Sequence, residues 1–228
     1  MNNYRYFYNV IDREHVYATC ENMENHAAYR HIINFINKYQ LHNKKCLEIG
    51  SGKGIYQNVV NDYTGLDIAE SLNKYYKKPY YIINADGTYP FKDNFFDAIW
   101  SYEVHEHVVD LDQALLELKR VLKVGGVVFF APSWQCRPWA AEGYAVRPYS
   151  DYGLRGKLIK MSIPIRNSLF WRASKIFPKR IVRHLLFLFG KRYINIPHKK
   201  LTPNWEQYWT SDSDACNYIE AHDAILWF

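Results

Sequence analysis

Between His26 and Gln40 the apolar side chains Ala28, Ile32, Phe35, Ile36 and Tyr39 recur at helical spacing. Lys44 to Ile49 follows as a short strand. The pattern then predicts a helix over 54–61, a strand over 63–67 that ends on Asp67, and a helix over 69–78 that stops before Pro79. Tyr80 to Ala85 is a third strand, ending at Asp86-Gly87, and Phe96 to Ser101 is a fourth. Leu111, Ala114, Leu115, Leu118, Val121 and Leu122 mark an amphipathic helix, with Gly125-Gly126 as its C-terminal stop. Val127 to Ala131 is apolar throughout, as expected of a strand covered on both faces.

Strands alternating with helices predict an α/β fold, a Rossmann-like, doubly wound and mostly parallel sheet. Residues 1–133 form the expected core, five strands behind an N-terminal helical segment and no internal repeat. Residues 134–228 are of another kind. Pro, Trp, Arg and Tyr interleave to about residue 166, and two apolar-basic helical stretches, 167–177 and 179–189, are split by Pro178. The last segment, 201–228, ends on Ala-Ile-Leu-Trp-Phe, and no antiparallel hairpin that would close the sheet is legible.

With 228 residues, 48% hydrophobic and 23% charged, the chain has the composition of a folded soluble protein. Cys20, Cys46, Cys136 and Cys216 are far apart, which suggests reduced thiols in a cytoplasmic protein and no zinc site. The N-terminus lacks the apolar core of a signal peptide, and no run approaches the roughly 20 apolar residues that cross a bilayer. The net charge of +6 is unevenly spread. Residues 151–200 hold thirteen Lys/Arg and one acid, Asp151, while the rest of the chain holds sixteen against twenty-two. An acidic body carries a basic module.

The first strand runs into Glu48-Ile-Gly50-Ser51-Gly52-Lys-Gly54. A dinucleotide site requires G-x-G-x-x-G, and here the third glycine comes one residue early, with Ile55 in its place. Glu48 beside the turn would repel a pyrophosphate but suits a cationic ligand. Three strands end on acids at the carboxyl edge of the sheet, where open parallel sheets bind ligands: Glu48, Asp67 and Asp86. Any one of them alone reads equally as a helix N-cap or a solvated loop carboxylate.

From Leu47 to Ala131 the chain resembles the class I S-adenosylmethionine (SAM) methyltransferases, in the group that includes ubiquinone and menaquinone C-methyltransferases. Glu48-Ile-Gly-Ser-Gly-Lys-Gly54 resembles their first motif. Asp86 with Pro90-Phe-Lys-Asp-Asn-Phe-Phe-Asp97 resembles the adenine motif and its loop, and Glu106-His107-Val108 with Arg120 to Gly126 the passage from strand four to strand five. The resemblance implies SAM as cofactor and S-adenosylhomocysteine as product. It implies that Gly50, Ser51, Gly52 and Gly54 approach the methionine part and that Glu48 balances the ammonium and sulfonium. Asp67 would take the ribose hydroxyls, and Asp86 with Gly87 the adenine amino group. Ile68 and Tyr89 would be ring neighbours.

Ser101-Tyr-Glu103-Val-His105-Glu-His107 leaves the fourth strand at the cofactor end. Methyl transfer depends mainly on positioning, and a base is needed only for a hydroxyl or a protonated amine. The expected catalytic residues are His107 near the methyl, with Glu103 or His105 facing the acceptor. The plainer alternative is that His107 caps the next helix or bonds backbone. A metal reading of His-Glu-His lacks further ligands at credible spacing, so no metal is expected.

Residues 166–192 set Leu, Ile, Val, Phe and Trp beside eight Lys/Arg, which suits an interfacial segment on anionic lipid. A lid that packs its apolar stripe on the domain and leaves its cations in water is the plainer reading, and nucleic-acid contact is a lesser one. Pro203-Asn-Trp-Glu-Gln-Tyr-Trp-Thr-Ser-Asp-Ser-Asp-Ala215 resembles a C-terminal stretch of methyltransferases from bacterial surface-polysaccharide gene clusters. Together these imply O-methylation of a small molecule or saccharide, including a polyprenyl-linked glycan, by a cytoplasmic enzyme peripheral at the inner face of the membrane. The alternatives are an RNA or protein methyltransferase and a non-catalytic SAM-binding protein. The oligomeric state is not legible.

Overall fold

The computed structural model describes residues 2–10 and 23–228. Cys20, expected as a reduced thiol, lies outside these residues. The chain divides into two compact units, Met1–Ser133 and Trp134–Phe228.

The first unit is a five-stranded, all-parallel sheet in the order β3-β2-β1-β4-β5. In chain order it contains α1 (Asn2–Val10), α2 (Tyr29–Lys38), β1 (Lys45–Ile49), β2 (Asp62–Asp67), β3 (Tyr80–Ile82), β4 (Phe96–Tyr102), α3 (Leu111–Val121) and β5 (Leu122–Ala131). Alternation along β1 divides the core. Cys46 joins Tyr63, Ala98 and Trp100 against Ile32, Phe35 and Ile36 of α2. Leu47 and Ile49 join Leu66 and Ile99 against Leu118 and Val121 of α3. Both faces of the sheet are thus covered, as parallel pairing demands. Phe96 packs on the α3 face although Ala98 and Trp100, of the same parity, face α2. An irregularity in the β4–β5 register between Phe96 and Ala98 accounts for the switch.

Several sequence expectations are corrected. Residues 54–61 form no helix, only successive turns closed by Gln57 N–H to Gly54 O (3.1 Å) and Val59 N–H to Tyr56 O (3.1 Å). The segment is short and carries the β-branched Ile55, Val59 and Val60, while Tyr56 and Val60 are drawn into the core. In place of a helix over 69–78 there is a 3-10 stretch, Glu70–Tyr75, which ends as Tyr76 becomes extended. Gly125-Gly126 does not stop α3. The helix ends at Val121 because its last carbonyls are taken from outside, Asn94 N–H bonding Arg120 O and Phe95 N–H bonding Val121 O, both at 2.8 Å. Both glycines lie inside β5, where a Cβ on Gly126 would come within 3.0 Å of Asp97 O. The helix α1 was not foreseen. Its Arg5 donates to the carbonyls of Ile83 (2.8 Å) and Asn84 (2.5 Å), just past β3.

The second unit contains α4 (Leu154–Asn167), α5 (Leu169–Leu188), β6 (His198–Lys200), β7 (Asn217–Ile219) and α6 (Ala221–Trp227). Pro178 does not split the basic segment, since α5 runs through it, and α4 covers residues read as irregular. An antiparallel pair exists after all, β6 with β7, in a sheet separate from the five parallel strands. No helix among the described residues is long and apolar enough to cross a membrane.

Arg120 holds the loop after β3 onto α3. It donates to Tyr89 O (3.0 Å), Phe91 O (2.7 Å) and Asp93 Oδ1 (2.8 Å), and grips buried Glu117 with two nitrogens. Replacing Arg120 with Ala leaves Glu117 buried without its cation, a loss of about 2–3 kcal/mol. Urea unfolding followed by circular dichroism checks this, and an unchanged midpoint would refute it.

Candidate active site

The carboxyl edge of β1 turns on three glycines with left-handed backbone, Gly50 (φ 67°), Gly52 (φ 51°) and Gly54 (φ 68°). This conformation is strained for any other residue. The turn is fastened to the end of β2. Gly50 N–H donates to Leu66 O (2.8 Å), and Gly52 N–H donates to Asp67 Oδ2 (2.9 Å). Asp67 Oδ1 accepts from the amides of Ile68 (2.6 Å) and Ala69 (3.3 Å). The acid expected at the ribose therefore also shapes the turn, from a buried position. Burial raises its pKa, and the three amides work against that rise.

Glu48 is buried as well, and Tyr63 donates its hydroxyl to Oε2. Burial pushes the Glu48 carboxyl up to about 8, the Tyr63 bond opposes this, and nearby Asp67 adds to it. Among the described residues neither acid forms an ion pair with Lys or Arg. Two buried carboxylates at adjacent strand ends, neither balanced by a cation, fit a positively charged ligand such as SAM. They do not fit a pyrophosphate.

Tyr76, which sequence reasoning passed over, lies across the turn. Its hydroxyl is 2.7 Å from Ser51 Oγ, 3.0 Å from Ser51 O and 2.9 Å from Gly52 O. A Cβ on Gly54 would come within 2.7 Å of its ring, and one on Gly50 within 2.1 Å of Val104. The glycines are thus needed for packing as well as for backbone conformation. Nothing in the sequence distinguishes Tyr76 from nineteen other tyrosines.

Asp86 is exposed in a tight turn with Gly87 (φ 85°). It accepts from the hydroxyl (2.7 Å) and amide (2.9 Å) of Thr88, bonds that hold its pKa below the usual range. Ile68 is half-buried beside Asp67. Tyr89 is not a ring neighbour of a ligand. It is buried in the α3 face of the core, its amide on Glu117 (2.7 Å) and its hydroxyl on Ala114 O (3.4 Å).

The fourth strand delivers its three candidates into different surroundings. Glu103 is exposed with left-handed backbone (φ 53°), pinned by its N–H to Ala131 O (2.9 Å). His105 is 0% exposed, its Nδ1 3.0 Å from Ser101 Oγ, and burial pulls its pKa down to about 3. It cannot face an acceptor and would be a feeble base if it did. His107 is half-buried, with Nε2 3.6 Å from Glu106 Oε1. Glu106 is fully buried and accepts from Ser133 N–H (2.9 Å). Burial raises its pKa to about 7, against the pull of His107. Glu106 enters the sequence reading only as part of a motif, yet its buried carboxyl stands beside the His107 ring. No metal-holding cluster occurs among the described residues.

Comparison with known proteins bears on this unit. Residues 47–130 match the family described as Methyltransferase domain. A ubiquinone biosynthesis O-methyltransferase of Hydrogenovibrio crunogenus is 30% identical over 113 residues, 43% of this chain and 47% of that one. An uncharacterized protein of Methanocaldococcus jannaschii is 35% identical over 111 residues, 46% of this chain and 48% of that one. The chain thus spans about half the length of these relatives. Among solved structures, the sugar N-methyltransferase KedS8 from Streptoalloteichus is 17% identical, with a TM-score of 0.42 over 51% of each chain. Residues 47–130 are a methyltransferase domain of the class that uses S-adenosylmethionine as its cofactor.

Proposed function

We propose that the chain transfers a methyl group from SAM to a hydroxyl of a small molecule or saccharide, including a glycan on a polyprenyl carrier. The observation that carries this reading is the pair of buried, cation-free carboxylates at the ends of β1 and β2. SAM supplies an electrophilic methyl on a sulfonium. Glu48 balances the positive charge, and the Asp67-anchored turn, through Gly50, Ser51, Gly52 and Gly54, gives the ligand a backbone wall. Asp67 keeps lone pairs for the ribose, and Asp86 with Gly87 offers an exposed acceptor for the adenine amino group. A hydroxyl nucleophile needs a base, which His107 provides, with Glu106 holding the imidazolium. Glu103 stands at the exposed edge for the acceptor.

The second unit favours an acceptor met at a membrane surface, with the enzyme peripheral on the cytoplasmic side. The 20 residues of α5 include no buried position, and Phe170 (84%) and Phe189 (86%) are largely exposed. On α4, Leu154, Leu158, Met161 and Ile165 are exposed at helical spacing. Apolar residues beside cations on one segment are the composition of an interfacial helix.

Asp67→Asn is expected to weaken S-adenosylhomocysteine binding by about tenfold or more, as read by calorimetry. Undiminished affinity in a folded variant would remove the cofactor site as drawn. A carboxyl held at about 8 is mostly protonated at neutral pH and must ionise to meet a cation, so binding releases a proton. SAM affinity of the wild type should therefore rise with pH between about 6 and 8 relative to Glu48→Gln, approaching tenfold per unit at the acid end. Parallel pH profiles for the two proteins would refute this. Phe170→Glu with Phe189→Glu should abolish cosedimentation with phosphatidylglycerol vesicles, and binding that survives both changes would exclude the apolar face.

A further inference from the structure

The arginines of the second unit fall into two groups. Those facing α6 are paired: Arg183 Nη1 lies 3.0 Å from Glu220 Oε2 and 2.7 Å from Asp223 Oδ2, and Arg180 Nε lies 4.0 Å from Glu220 Oε2. Arg147 Nε is also paired, 3.2 Å from Asp151 Oδ2, whereas, among the described residues, Arg137, Arg166 and Arg172 are not. Arg172 Nη2 donates to the neutral amide oxygen of Gln135 at 3.0 Å, and its Nε is buried without an acceptor. Desolvation, and then repulsion from Arg172, lower the pKa of Arg137. The Cζ atoms of Arg137 and Arg166 lie 6.0 and 5.8 Å from the centre of the Trp139 ring. Asp212 is close enough to be felt by Arg137, yet no carboxylate lies within 4.0 Å of any of the three guanidiniums among the described residues.

The platform beneath them is fixed. Gln135 is buried in left-handed backbone (φ 62°), and its N–H donates to Ile219 O of β7 at 2.9 Å. Non-glycine residues hold that conformation only where the surroundings impose it. Here it turns the side-chain oxygen toward Arg172. Three forked cations with no carboxylate in contact cost stability, and a doubly charged anion would relieve the desolvation, the repulsion and the unmet Nε together.

We infer that Arg137, Arg166 and Arg172, with Gln135 orienting Arg172 and Trp139 backing the other two, bind a phosphate or diphosphate ester. This deepens the proposed function by making the acceptor a phosphate ester, and it rests on that reading only for the ligand's role as acceptor.

Calorimetry with inorganic pyrophosphate on the intact chain, without cofactor, tests the site. Arg172→Gln should weaken binding about tenfold, the scale of one lost charge-assisted hydrogen bond, and Arg137→Gln with Arg172→Gln should remove it. Arg137→Lys, which keeps the charge and loses the fork, should also weaken it and serves if the double variant does not fold. Arg155→Gln with Lys157→Gln removes two charges from exposed positions of α4 and should change affinity less than about twofold. No binding by the wild type, or an equal loss in this control pair, would overturn the site. A soluble sugar phosphate and phosphatidic acid vesicles distinguish a free phosphate from a lipid headgroup, each required to lose binding in the Arg172 variant and not in the control. S-adenosylhomocysteine affinity, read on the same samples, tests the methyltransferase reading separately, and its absence would remove that reading and leave the anion site standing.

Discussion

One hydrogen bond joins the two halves of the cofactor edge, Gly52 N–H to Asp67 Oδ2 at 2.9 Å. It ties the turn after β1 to the end of β2, and with Gly50 N–H on Leu66 O it sets where the backbone runs. A ligand approaching this edge meets a surface already organised by the side chain that would bind it. On the proposed reading Asp67 is both support and contact, so changing it would alter the turn as well as the ligand's hydrogen bonds. The energetic consequence is a preorganised site, whose ordering is completed on folding and not at each binding event.

That arrangement carries a cost the fold accepts. A buried carboxyl with no cation beside it resists ionisation, and at Glu48 the nearby Asp67 adds to that resistance. Three amides stabilise Asp67, while Glu48 has the Tyr63 hydroxyl. The free protein lessens the conflict by keeping Glu48 largely protonated at neutral pH. A cation entering the site reverses the preference, so ligand charge and proton loss are coupled through one residue. Glu106 and His107 repeat this logic at the exit of β4, where the acid is the buried member and the histidine reaches toward solvent.

The sheet was legible in the sequence because most of its strands are short apolar runs, and period two along β1, and along β4 past the irregularity at Phe96, decides which face each residue covers. The helices flanking the cofactor edge were less so. Over 54–61 the apolar positions fit a helix, but Tyr56 and Val60 are satisfied by burial in turns, so pattern and conformation part company. Tyr76 is decided by tertiary contact with Ser51 and Gly52, which no local spacing records. For the candidates at the exit of strand four, intrinsic pKa could not reveal that His105 is fully buried while His107 is only half-buried; the ring of His105 lies 4.7 Å from that of Phe130.

The second unit shows charge and burial pulling apart in a way the first does not. Two of its buried acids, Glu220 and Asp223, sit at the start of α6 and are met by Arg183. Burial still raises Asp223 to about 6 despite that arginine, so the pair gains little from desolvation and serves to fix α6 against α5. Once those acids are used, few remain to neutralise a module with thirteen cations over residues 151–200. The excess is distributed unevenly, with lysines mostly in water, Arg166 beside the Trp139 ring and Arg172 on Gln135. Water disperses an isolated lysine charge well. A cluster of half-desolvated guanidiniums keeps its field, and that field is directed at whatever anion the unit meets.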